Sequence, residues 1–318
     1  LNNRPPDDDR AIRPEIKGGP MSRNRLILLA ALVFWVLSGC STNDRIAGPV
    51  PGEVALTCQG LEGLGPDYVY EGWLAAGDEM ISVGTFTVDA AGGLSPSEFE
   101  VSEDDLWSAE RFVVTIEPAA DGDSLPSKTH VLAGDFGVTG AVSDDALLSP
   151  EHPDALGDDF SGVYGGYMLE TPTTADQTDD YANGVWFGIP GMPPHWGTLL
   201  SLRALPDGWR YEGWVVTPDS AVSTGRFRFV SSADSDGPGP AAGPDAGPEY
   251  PGQDFIDPAM TLPGYDLLIT IEPEPDNSPG PFSMRVLVDT VIVDKGAFHI
   301  EWMESRIAGS FPSGRASR

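Results

Sequence analysis

The expected fold is all-β, two tandem β-sandwich (Ig-like) domains, and three observations lead there. Short β-branched and aromatic runs recur between Gly- and Pro-rich turns, one stretch of sequence occurs twice, and nothing shows the period of a long helix. Gly 38 and Pro 30 among 318 residues are too many for a helical bundle, while a 40% hydrophobic content suffices for a core. Many short strands punctuated in this way pack as sandwiches.

Residues 1–20 do not begin with Met, carry Asp7-Asp8-Asp9 and lack periodicity, as in a disordered leader or a non-native upstream extension. Met21 opens a signal peptide over 21–39, in which Arg23 and Arg25 precede an apolar run from Leu26 to Leu37. Twelve helical residues rise only about 18 Å, against a bilayer core of roughly 30 Å, so the run is too short to span. Leu37-Ser38-Gly39-Cys40 is similar to a bacterial lipobox, which makes Cys40 the expected lipidation site and membrane lipid the first expected partner. Several acyl chains, at roughly 0.8 kcal/mol per buried CH₂, form a stable anchor. Ser41 follows in place of Asp, which favours the outer membrane as the location within the cell envelope.

Lys+Arg 18 against Asp+Glu 49 gives a formal charge of −31, and cleavage before Cys40 removes six basic and four acidic residues to leave −33. Nucleic acid is excluded as a partner, because phosphate binding needs a basic face. Once Cys40 is acylated, Cys58 has no disulfide partner and is expected to be a small buried hydrophobe.

After a linker over 40–52, the first sandwich is expected over 53–148 and the second over 160–306, with a linker over 149–159 and a frayed tail over 307–318. Tyr70-Glu71-Gly72-Trp73-Leu74 returns 141 residues on as Tyr211-Glu212-Gly213-Trp214-Val215. Ser82-Val83-Gly84-Thr85-Phe86 returns at the same offset as Ser223-Thr224-Gly225-Arg226-Phe227. Val113-Val114-Thr115-Ile116-Glu117-Pro118 returns as Leu268-Ile269-Thr270-Ile271-Glu272-Pro273, now 155 residues on. The second copy therefore carries an insertion, placed in the acidic Gly/Pro loop 231–257. Each block reads as a strand, Pro118 and Pro273 end theirs by lacking a donor, and residues 102–110 are the one expected helix.

These blocks, with Pro126 and Val131-Leu132-Ala133-Gly134, resemble the extracytoplasmic domain of anti-sigma-K factors. The first copy follows the family order throughout; the second departs from it in the acidic loop. The resemblance implies a lipid-anchored, duplicated, sensor-like or ligand-binding sandwich. The family's sigma-binding part is missing from the sequence, so direct contact with a sigma factor does not carry over.

No catalytic set is found. There is no Gly-x-Ser-x-Gly, no His-Glu-x-x-His and no P-loop, and His130, His152, His195 and His299 lie far apart. Glu117 and Glu272 are expected to cap turn amides at strand ends rather than to act as acid and base. Tyr70 and Trp73, with Tyr211 and Trp214, are candidate binding-surface residues, although a spacing of three puts each pair on opposite faces of its strand. Asp234, Asp236 and Asp245, with Asp254 and Asp257 nearby, form the candidate metal site, for Ca²⁺, although Pro238 and Pro240 take the middle ligand places. No other cofactor is expected. The expected role is non-catalytic binding or sensing of an envelope protein or ligand; the alternative is an envelope scaffold with Ca²⁺-binding loops.

Overall fold

The computed structural model describes residues 50–137, 144–176, 178–190, 197–275 and 278–318. Residues 1–20, the signal peptide, Cys40 and His195 lie outside the described residues. The first copy begins with β1 (Pro51–Gln59), the hairpin β2 (Tyr68–Ala76) and β3 (Glu79–Val88), then β4 (Leu94–Ser95) and β5 (Glu98–Ser102). A short helix, α1 (Glu103–Ser108), falls where one was expected, and β6 (Arg111–Pro118), β7 (His130–Asp135) and β8 (Ala146–Leu148) follow. The second copy holds β9 (Tyr164–Leu169), β10 (Gly184–Trp186), β11 (Gly188–Ile189), β12 (Gly197–Thr198) and β13 (Leu200–Ser201). It continues with β14 (Trp209–Val216), β15 (Ala221–Phe227), β16 (Gly252–Asp254), β17 (Asp266–Pro273), β18 (Arg285–Asp289), β19 (Ile300–Trp302) and β20 (Glu304–Ser305). The last strand is β21 (Ser313–Ser317).

The fold is all-β with antiparallel sheets, as expected. The repeated blocks build matching sheets, β4-β3-β2-β6-β7 and β15-β14-β17-β18-β20. In both, the Tyr-Glu-Gly-Trp strand lies inside the sheet, and its hairpin partner bulges opposite the glycine: Val83 is the extra residue in β3, and Thr224 and Gly225 of β15 oppose Gly213. The bulged strand holds Gly84 (φ +128°) in one copy and Gly225 (φ +99°) in the other, a backbone that favours glycine. Gly72 is needed for space, since a Cβ there would meet Val83 and Phe112 at 2.7 and 2.8 Å.

The opposing sheets also match, but through different parts of the chain. In the second copy β9 runs between β10 and β19, and β10 pairs with β16. In the first copy the order is β5-β1-β21-β8. The place that β9 holds in the second copy is thus held in the first by β21, from the far end of the chain. This corrects the expectation of a frayed tail. Arg315 and Ser317 point outward while Ala316 is fully buried, and Ile307 and Phe311 pack against the core on the way. Arg318 then places its guanidinium 4.2 Å from the Phe136 ring centroid and donates to the carbonyls of Leu106 and Ala109 at 2.8 and 2.9 Å.

Val54, Leu56 and Phe99 of one sheet meet Tyr70, Phe86 and Phe112 of the other in a core that continues through Tyr167, Trp209, Tyr211 and Ile269 of the second copy. Residues Ala47–Arg318 accordingly form one compact unit. Segment 149–159 is more than a spacer: its buried Ala155 covers Trp73, and Asp154 bonds the Arg111 guanidinium.

Candidate functional site

The four aromatic residues expected to offer a binding surface are core residues: Tyr70 and Tyr211 have no exposure, Trp73 has 1% and Trp214 has 4%. Spacing placed each pair on opposite faces correctly, but both faces are covered. Tyr70 enters the main core, where it stacks on Phe86, while Trp73 packs with Val113, Ala133 and Ala155 on the outer face. Tyr211 stacks on Phe227 in the same way, and Trp214 packs on Leu268 and Val288.

Each outer-face indole is the start of a buried hydrogen-bond chain. Trp73 Nε1 donates to Thr115 Oγ1 at 2.9 Å, Thr115 donates to Glu117, and Glu117 Oε1 accepts the Ser127 amide at 2.8 Å. In the second copy Trp214 Nε1 donates to Thr270 at 2.9 Å, Thr270 donates to Glu272, and Glu272 accepts the Phe282 amide at 2.9 Å. Glu117 and Glu272 therefore hold turn amides, as expected from sequence. At 2% and 0% exposure both carboxyls are withdrawn from the surface. Burial pushes the Glu117 carboxyl above its usual range, opposed by these hydrogen bonds.

The acidic residues of loop 231–257 are not assembled as a metal site. Asp234 turns inward beneath Gly225, where its carboxylate accepts the Gly252 amide at 2.9 Å, while Asp236 and Asp245 are exposed. Asp254 is fully buried and accepts from Trp186 Nε1 at 2.7 Å and from the Thr173 amide at 2.9 Å. Among the described residues no three His, Cys, Asp or Glu side chains are grouped to hold a metal ion. The loop uses its carboxylates to fasten itself to the sheet, a role that acidic spacing alone does not reveal. His130 Nδ1 lies 2.7 Å from the Asp154 carbonyl and His152 Nδ1 accepts the Asp154 amide at 3.1 Å while its Nε2 contacts Asp135, whereas His299 contacts Glu301 elsewhere.

What the structure does bring together is a groove where the copies meet. A cavity of about 450 Å³ opens between Tyr68, Ile116 and Lys128 of the first copy and Asp207, Arg210 and Glu274 of the second. An adjoining cavity of about 320 Å³ shares Tyr68, Ile116 and Pro275 and extends to Phe282. The close approach depends on Gly208 (φ +91°), where a Cβ would sit 2.4 Å from the Lys128 carbonyl oxygen. Thr129 Oγ1 closes the floor by donating to the Gly208 carbonyl at 3.3 Å. Charges at the rim are paired: Lys128 and Arg228 reach Asp207 at 3.2 and 2.9 Å, and Arg210 reaches Glu274 at 2.7 Å. Lys128 and Arg228 hold the Asp207 carboxyl below its ordinary range. A concave surface that sets Tyr68, Ile116, Pro118 and Pro275 among pre-paired charges suits the capture of a ligand. Sequence reasoning missed this groove because its two walls lie in blocks 140 residues apart.

No family model, no curated protein and no solved structure shows a significant match to the chain.

Proposed function

We propose that the chain is a membrane-anchored extracytoplasmic lipoprotein with two anti-sigma-K-like halves, which binds or senses an envelope protein or ligand without catalysis. The groove between the copies is the observation that supports a binding role: it is concave, holds Tyr68, Ile116 and Pro275, and is bordered by paired charges. The location rests on the apolar run 26–37 and on Leu37-Ser38-Gly39-Cys40.

Intact mass of the membrane-extracted protein tests the anchor. A mature chain beginning at acylated Cys40, converted to an unprocessed precursor when the lipoprotein signal peptidase is inhibited, is the expected result. A mature chain beginning elsewhere would end the lipoprotein reading. For the groove, a photo-crosslinking residue at Pro118 is expected to trap a discrete envelope component, and Tyr68→Ala to abolish that adduct. An adduct pattern indifferent to Tyr68 would count against the groove.

A further inference from the structure

The outer face of the second copy's β9–β19 pair carries two aromatic rings that the core does not use. Tyr164 and Trp302 are each 60% exposed. Their ring centroids are 6.4 Å apart with planes inclined by 53°. Strand alternation puts Tyr164, Gly166 and Met168 on this face and Gly165, Tyr167 and Leu169 on the core side. Trp302 is registered opposite Gly166, and its indole lies along the backbone there: a Cβ on Gly166 would sit 3.1 Å from Trp302 Cε3. Gly166 thus gives the indole a flat seat beside Tyr164. The matching face of the first copy presents Leu147 on β8, 58% exposed, so nothing in the repeated fold calls for a tryptophan here.

Two neighbouring exposed rings on a rigid sheet are a stacking platform. The flat C–H face of a pyranose is weakly electropositive and meets the negative face of an aromatic ring. Ile300 and the 48% exposed Phe298 continue the apolar surface along β19, but toward β13 and β20 the surroundings are polar, which favours a sugar on that side. Ser161, Gly162, Glu304 and Ser305 nearby are all exposed, and Ser201, registered opposite Tyr164, turns a half-exposed hydroxyl to the same face. The charge of −31 opposes anionic glycans but leaves stacking of an uncharged ring unaffected.

We propose that Tyr164 and Trp302 form a binding site for a neutral polysaccharide, with the rings stacking on successive sugar units and Ser201 hydrogen-bonding a hydroxyl. The site is separate from the groove, and the inference rests on the proposed extracytoplasmic location only for access to such a chain.

The full chain, in detergent, is titrated with cellohexaose, xylohexaose, mannohexaose and laminarihexaose while tryptophan fluorescence and calorimetric heat are followed. At least one hexasaccharide is expected to bind. Trp302→Ala and Tyr164→Ala are each expected to weaken binding by about tenfold, while Trp302→Phe retains part of the affinity. Because both rings are exposed, the unfolding midpoints of these variants should match the parent. Trp107→Ala, at the other exposed tryptophan among the described residues, should leave binding unchanged. Absence of binding across the panel, or equal binding by Trp302→Ala, overturns the proposal. So does a Trp302-dependent protein adduct without glycan binding. Failure of this test with an acylated Cys40 and a Tyr68-dependent adduct would leave the function proposed above intact.

Discussion

Trp73 and Trp214 each do two things: the ring fills the outer face of a sheet, and the Nε1–H begins a chain that ends on a turn amide. Trp73→Phe keeps most of the packing but removes the donor to Thr115, so a loss of about 1–3 kcal/mol is expected in denaturant unfolding. Trp73→Ala also opens a cavity, and about 3–5 kcal/mol is expected. A Phe variant as stable as the parent would show that the hydrogen-bond chain contributes nothing. Cys58 gives a second test at this scale. Burial pushes its thiol up to about 12, so at pH 8 thiol reagents should label it only after denaturant is added. The participants in these chains were visible in the sequence, as Trp in one repeated block and Thr-x-Glu in another. Their connection was not, because it depends on the register that sets Trp73 opposite Val113 and brings Thr115 within reach.

Two elements outside the repeated blocks hold the second and first copies closed. Loop 231–257 is fastened through carboxyls that burial disturbs: Asp234 and Glu170 are both pushed up to about 7, from ordinary values of 3.8 and 4.5. Glu170 accepts the Tyr250 hydroxyl at 3.1 Å and Asp234 accepts the Gly252 amide at 2.9 Å. Raised values mean that the folded protein binds more protons than the unfolded chain between about pH 4 and pH 7. Their stabilising contribution is therefore full below about pH 4 and is lost as the pH rises through 7. The thermal midpoint should fall between pH 5 and pH 8, and Glu170→Gln with Asp234→Asn should flatten that fall. An unchanged slope in the double variant would place the dependence elsewhere. The other element, β21, is secured by Arg318, whose guanidinium faces Phe136 at 4.2 Å and Trp107 at 4.9 Å. Arg318→Ala is expected to cost about 1–3 kcal/mol in denaturant unfolding. Neither fastening was legible. Ser-Gly-Arg-Ala-Ser has no apolar alternation beyond Ala316, and acidic residues in a Gly/Pro loop look alike whether they face solvent or a sheet.

Across the whole molecule the duplication was readable and its closure was not. Repeated blocks at offsets of 141 and 155 residues announce matching sheets, because identical local patterns meet identical neighbours. The exchange of β21 for β9 leaves no such mark, since it replaces Tyr-Gly-Gly-Tyr-Met-Leu with a polar segment in the same place. Deleting 313–318 should strip hydrogen-exchange protection from the Thr57 and Gln59 amides of β1, which face β21, while Leu56, whose amide bonds the Ser97 carbonyl, and Asp266–Pro273 in the second copy stay protected. Equal protection of Thr57 and Gln59 with and without the strand would remove β21 from any structural role. The closure also bears on how the protein can be made. A chain emerges from the ribosome first residue first, and duplicated folds ordinarily let the leading unit finish before the next appears. Here the first half waits for residues 313–317. Until they have been synthesised, the slot between β1 and β8 stays open, with two bare strand edges available to any passing strand. Closure of the first half is therefore committed only after the whole second half has been made, and a nascent chain stalled short of residue 313 is a case for a chaperone.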